Sequence, residues 1–324
     1  MIDATPALTY DSFLAAAEAA GRAPSLHNSQ PWRFRLRAGA MEVLAEPARQ
    51  LPVADPSGWA VRLACGAAVF NARLALAVRD MPVEVRLHPD ASEPDLLARL
   101  CPLPARPATP AEVALHGAIG RRHSNRRPFA DTPVPVPVRS RLREAAREER
   151  AWLDLLVGSG PLMAVGEIVR AAGRVLDRSP EYRAELAAWV REAATYDGVP
   201  VAAGGPSPEP HDLLAVRDFG RHPRAPGRDF ETDPLVAILG TTGDTRTDQL
   251  VAGQALQRVL LSGTDAGLSM SMLSQPIEVA PAREMLRVAL GRSGSPQMVI
   301  RIGYGQPSAL TPRRPVLDTV DPLG

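Results

Sequence analysis

Residues 59–80 limit the possible folds of this chain more than any other stretch, because small and apolar side chains occupy nearly every face of what reads as one long helix. A helix apolar all round must be enclosed on all sides by the rest of the protein. A second helical pattern, residues 248–266 closed by Gly267, aligns with the first at an offset of 187 residues. Gly66-Ala67-Ala68-Val69 then falls on Gly253-Gln254-Ala255-Leu256, and Leu74 on Leu261. Alanine-rich helices resemble one another by chance, but each copy here follows a strand and loop and precedes a strand or turn. The chain therefore reads as two related units, residues 1–110 and 111–324. Its 324 residues suffice for two interlocked cores.

Within the first unit the pattern predicts a helix over residues 10–22, with Asp11 or Ser12 as N-cap and Gly21 at its end. Strands follow at 33–37 and 41–45, broken by Gly39, and another at 83–88, where Val83, Val85 and Leu87 alternate with charged residues. Pro102, Pro104, Pro107 and Pro110 mark a linker over 101–110. The second unit reads as helices at 112–120, 139–150, 162–176 and 180–194, with strands at 152–157, 235–239 and 297–304. Residues 196–233, rich in proline and glycine, form the least regular part. A loop of that length in a compact domain is a functional lid or is disordered.

Net charge is +1 and the isoelectric point about 7.9, so no long-range field draws the chain to nucleic acid or a membrane. All 37 basic residues are arginines, which removes Schiff-base chemistry on lysine and leaves planar, bidentate forks for anions. Cys65 and Cys101 stand far apart, with neither disulfide-scaffold nor zinc spacing, and neither has the setting of a nucleophile. No metal is expected. Residues 1–6 lack a basic segment leading into an apolar run, and nowhere do roughly eighteen uncharged apolar residues follow one another, so a soluble, cytoplasmic protein is expected.

Polar side chains concentrate in the segment Ala23-Pro24-Ser25-Leu26-His27-Asn28-Ser29-Gln30-Pro31-Trp32-Arg33-Phe34. Its two prolines predict an extended, rigid loop that exposes amide and hydroxyl groups. Read by residue type alone, Ser25 and Asn28 could equally cap their own backbone. The order of the residues resembles the loop that, in FMN-dependent nitroreductases, covers the flavin from the neighbouring subunit of a homodimer. More narrowly, the chain resembles the Acg-like branch of that family. The resemblance implies an α+β, nitroreductase-like fold in two tandem half-units, each with a mixed sheet, and with the two long helices at an intrachain pseudo-dimer interface. It also implies that Pro24, Ser25, Leu26 and Asn28 bind the flavin.

Arg121-Arg122-His123-Ser124-Asn125-Arg126 is by composition a solvated charged loop or an anion site. It resembles the family's R-x-S-x-[RK] entry, which implies that Arg122, Ser124 and Arg126 hold the FMN phosphate and ribityl chain, flanked by Arg121 and His123. Arg313 and Arg314, in a tail that is either free or a clamp, resemble a second phosphate contact, because 299–305 resembles the family's last core strand. Ser274-Gln275-Pro276-Ile277-Glu278-Val279 is a helix-capping turn or the family's Pro-Ile-Glu turn. The latter implies Pro276 and Ile277 against the flavin and the amides of Glu278 and Val279 near its N5. His27 has no role beyond lining the pocket. Arg217, Arg221, Arg224 or Arg228 would meet the pyrimidine edge, and 197–200 would belong to a lid.

The covering loop lies in the first unit and the other matching pieces in the second, so a monomer would build one complete flavin site as a pseudo-dimer. The resemblance implies an FMN oxidoreductase that carries hydride from NAD(P)H through N5 to a nitro, quinone or related acceptor, with no ionisable side chain required. The alternative is an FMN-sequestering protein whose lid blocks turnover.

Overall fold

The computed structural model describes residues 7–192, 195–207, 209, 212–214, 216–219, 231 and 234–322. The first unit opens with α1 (Tyr10–Gly21), capped by the Thr9 side chain, which accepts from Ser12 N at 3.2 Å, in place of the expected Asp11 or Ser12. β1 (Trp32–Arg37) and β2 (Ala40–Ala45) form a hairpin that turns through Ala38 and Gly39, both at positive φ. α2 (Trp59–Ala77), β3 (Val83–Leu87) and β4 (Leu96–Pro102) complete the unit, in strand order β1-β2-β4-β3. β4 was not legible as a strand because Leu96-Leu97-Ala98 lacks the alternation seen in β3, and the linker begins only after it.

The second unit runs α3 (Pro110–Ile119), β5 (Phe129–Ala130), α4 (Val136–Glu148), β6 (Trp152–Leu155), α5 (Ser159–Arg178) and α6 (Pro180–Ala188). Then come β7 (Val190–Arg191), β8 (Val199–Pro200), β9 (Leu235–Thr241), α7 (Arg246–Asp265), β10 (Ser269–Leu273), α8 (Gln275–Glu278), α9 (Ala280–Ala289) and β11 (Ser295–Gly305). Strand order is β10-β11-β9-β6, with β5 beside β11. Both main sheets are antiparallel where mixed ones were expected, and the parallel pairings are the short β7–β8 and isolated bridges such as Phe34 to Val320. β10 and α9 also went unread, the first because Ser-Met-Ser-Met-Leu has no β-branched residue.

α2 and α7 pack along each other between the sheets, closest at Gly66 and Gly253. Buried polar pairs stitch the crossing: Arg62 Nε donates to Gln249 Oε1 at 2.6 Å, and Gln257 Nε2 to Asn71 Oδ1 at 2.7 Å. Of the described helices α2 alone is long and apolar enough to cross a membrane, and 94% of that span is buried inside the protein. Beyond β11 the tail returns to the first unit. Phe34 N donates to Thr319 O and Asp321 N to Phe34 O, each at 2.8 Å, and Arg33 pairs with Asp321. Residues 311–315 are thereby carried past the 23–34 loop.

Candidate functional site

A cavity lies between the units. The first unit contributes Pro24, Ser25, Leu26 and His27 to its wall, and the second contributes Ser124, Arg126, Ser274 and Gln275. The loop that supplies the first group is not extended as expected. It coils into a short 3-10 turn over Leu26–Asn28, with His27, Asn28 and Gln30 in the left-handed region at φ 51°, 57° and 51°. Residues other than glycine persist there only where surrounding contacts hold them. Gln30 N donates to Ser25 Oγ at 2.9 Å, Arg49 Nε to Ser29 O at 2.6 Å, and Gln30 Nε2 to Tyr196 O at 2.8 Å.

Asn28 is a junction of the loop, the tail and the segment around Gly198. Its Nδ2 donates to Gly198 O at 2.9 Å and Pro312 O at 3.0 Å, and its Oδ1 accepts from Arg313 Nη1 at 2.9 Å. It serves more than its own backbone, though Ser25 does accept locally.

Arg122 and Arg313 of the expected set meet at the Arg22 carbonyl, and Arg126 lies on the cavity wall. Arg122 is buried; among the described residues its guanidinium reaches the Arg22 carbonyl alone, at 3.4 Å, and its Nε has no partner. Arg313 donates to Asn28, to Thr311, Pro312 and Ala23, and at 3.3 Å to the same Arg22 carbonyl. Arg126 donates to Ala203 O at 3.0 Å and lies 4.5 Å from the Phe219 ring centroid. Among the described residues none of the three has a carboxylate partner. Burial pushes the pKa of Arg122 and Arg126 down to about 10; burial, then Arg122 and Arg22, push that of Arg313 down to about 9. All three remain charged at neutral pH, at a desolvation cost that an anion would offset.

Other expected contacts are placed differently. Arg121 is exposed, and His123 bonds the Arg121 carbonyl through Nδ1. Arg314 is committed to Glu46 at 2.6 Å and to the Asp318 carbonyl at 2.7 Å, so it anchors the tail. Pro276 and Ile277 are buried in α8. The amides of Glu278 and Val279, expected to face the cavity, donate to Ser274 O and Gln275 O because the turn winds into a helix. The Glu278 carboxylate instead binds Arg217 at 2.6 Å. Arg221, Arg224 and Arg228 lie outside the described residues, as does part of 196–233.

One support, through Arg301, had no sequence signal, and a second falls on Arg217, which was expected at the pyrimidine edge. Arg301 of β11 pairs with Glu231 and donates to the carbonyls of Asn125 and Arg127, while Asn125 Nδ2 donates to Gln306 O at 2.8 Å. These bonds fix the 121–127 turn against the last strand. Arg217 links Glu278 to His27, whose Nδ1 lies 3.3 Å from Arg217 Nη1. Burial works against the Arg217 charge, but Glu278 and then Tyr182 outweigh it and hold its pKa above the usual value.

The whole chain, and not only this site, has relatives. It is 35% identical over 314 residues to a Mycobacterium tuberculosis protein named "Putative NAD(P)H nitroreductase Rv3131", covering 93% of this chain and 88% of the relative. The chain belongs to the Acg-like nitroreductase family. A second relative of this Acg-like chain, the M. tuberculosis protein named for acg itself, is 31% identical over 318 residues, or 95% of each. No family model matches. Among solved structures, an FMN-bound nitroreductase from Bacteroides fragilis overlays 62% of this nitroreductase and 93% of its own chain, with TM-score 0.39 and 13% identity. An FMN-bound one from Desulfitobacterium hafniense overlays 65% and 98%, with TM-score 0.41 and 12% identity.

Proposed function

We propose that this chain is a soluble FMN-dependent oxidoreductase of nitroreductase type, which takes hydride from NAD(P)H and reduces a nitro compound, quinone or related acceptor. The observation that carries the reading is that Arg122, which is buried, and the half-buried Arg126 and Arg313 have no carboxylate partner among the described residues, with Arg126 on the wall of a cavity lined by both units. A phosphate monoester of nearly two negative charges is the anion that planar arginine forks suit best. The donor named for the relative Rv3131 agrees with this.

In this reading Arg122 and Arg313 hold the phosphate, while Ser124 and Arg126 hold the adjoining chain. Pro24, Ser25 and Leu26 wall the ring from the first unit, and Pro276 and Ile277 back the opposite side from within α8. FMN, when bound, supplies the two-electron chemistry; the protein positions it and keeps out water. Residues 1–110 and 111–324 would stand in for the two subunits of a homodimer, and the chain would work as a monomer.

One observation favours the alternative of FMN sequestration. The start of the lid is tied to the flavin-covering loop by Asn28 to Gly198, Gln30 to Tyr196 and Arg49 to Asp197. An absorption spectrum of protein reconstituted with FMN, before and after NADPH under nitrogen, separates the readings. A single flavin per chain that bleaches supports the enzyme. A band that persists with every nicotinamide donor supports sequestration, and failure to take up FMN overturns both.

A further inference from the structure

His27 is 3% exposed and lies on the cavity wall. Its ring meets the edge of Phe219, with centroids 5.8 Å apart and planes at 78°, and its backbone sits at φ 51°. The orientation of its protons follows from its neighbour. A guanidinium has donors and no acceptor, so the Arg217 contact at 3.3 Å requires Nδ1 to offer its lone pair. The remaining proton then sits on Nε2. Burial, followed by Arg217 and Arg126, holds the imidazole pKa well below its ordinary value, so no second proton is carried at neutral pH. Nε2 is enclosed and has no partner among the described residues. An enclosed N–H without an acceptor is costly, and such groups commonly await a water or ligand.

Arg217 is fixed from behind. Its Nη2 donates to Glu278 Oε1 at 2.6 Å, Tyr182 Oη reaches Glu278 Oε2 at 3.4 Å, and the Arg217 guanidinium lies 5.7 Å from the Tyr182 ring centroid. The line Tyr182, Glu278, Arg217, His27 runs from the second unit into the first and ends at the cavity.

We propose that His27, positioned by Arg217, uses its Nε2–H to donate a hydrogen bond to an unprotonated oxygen or nitrogen held in the cavity, belonging either to the edge of the flavin ring or to the electron acceptor. The assignment rests on the flavin reading above. It makes His27 a recognition donor and Arg217 its positioning residue, with no proton transferred.

The test uses FMN-loaded protein carrying His27→Phe or His27→Gln, the glutamine keeping an N–H donor. Both variants are assayed for flavin content, midpoint potential and steady-state reduction of a quinone series by NADPH. His27→Phe is expected to retain flavin and to lose about tenfold in kcat/KM, as for one hydrogen bond to a polarised acceptor, with glutamine recovering most of the loss. If the bond is to the flavin, the midpoint potential of His27→Phe shifts. If it is to the acceptor, the potential stays and only the oxidative half-reaction slows. Should the phenylalanine variant fail to fold, His27→Asn, whose shorter amide cannot reach the Nε2 position, replaces it. Flavin-loaded His27→Phe or His27→Asn with wild-type potential and kinetics overturns the assignment alone, whereas wild-type protein that binds no FMN overturns the functional reading with it.

Discussion

Gly66 on α2 and Gly253 on α7 meet backbone to backbone, and the contact is reciprocal. A Cβ on Gly66 would stand 2.2 Å from the Leu250 carbonyl oxygen, and one on Gly253 would stand 2.1 Å from that of Leu63. No side-chain rotation relieves either clash. Gly66→Ala is expected to push the helices apart and cost about 2–3 kcal/mol, as overpacking does, with Gly253→Ala similar. Denaturant unfolding of each variant reads the loss, and wild-type midpoints would show that the crossing is looser than described here.

Removing a cation proposed to hold the phosphate should have opposite effects on cofactor and fold. Arg122 is buried without a carboxylate partner among the described residues, so Arg122→Gln relieves a desolvated charge. The FMN-free variant is expected to unfold at or above the wild-type temperature, while FMN dissociates about tenfold or more faster with a charged contact of roughly 1.5–3 kcal/mol gone. Thermal unfolding and flavin fluorescence on dilution measure the two arms. Unchanged FMN retention would remove Arg122 from the site.

Asn28 ties the loop, the segment around Gly198 and the tail through both ends of its amide. Asn28→Ala leaves Arg313 with one acceptor fewer and takes one donor from each of the Gly198 and Pro312 carbonyls, the latter keeping Arg313. A loss of about 1–3 kcal/mol is expected. Cleavage by a nonspecific protease should also rise near residues 196–200, and an unaltered digestion pattern would mean that the other ties suffice.

Asp55 caps the first turn of α2, its Oδ2 accepting from Val61 N at 3.0 Å, and burial lifts its carboxyl pKa to about 6. A folded-state pKa above the unfolded value near 4 means that the stabilising contribution is complete below pH 4 and lost as pH rises through 6. The stability of wild type relative to Asp55→Asn should therefore fall between pH 4 and 7, by about 2 kcal/mol. Paired denaturation curves at pH 4.5 and 7 check it, and a difference independent of pH would place the Asp55 pKa near its ordinary value.

The helix pair was legible because its signal is local: an all-round apolar stretch, a glycine at the right place, and a second copy downstream. Arg122, Arg126 and Arg313 became candidates through the resemblance of their motifs, since by composition the same stretches read as a solvated loop and a free tail. Arg314 belongs to the same motif, yet its fate turned on Glu46, 268 residues away, which no spacing reveals. The Pro-Ile-Glu turn misled because the same residues also start a helix, and winding into α8 consumed the amides of Glu278 and Val279.

The order of residues along the chain determined that two long apolar helices are enclosed by the rest of the protein, and that arginines cluster where few local carboxylates could pair with them. Only the tertiary structure decided which arginines lack a carboxylate partner among the described residues, which way the 23–34 loop coils, and that His27 lies on a cavity wall beside Arg217. The division has a physical cause. Burial and helix formation depend on neighbours within a few turns, whereas charge pairing and proton placement depend on groups brought together across the fold, such as Asn28 and Arg313, 285 residues apart.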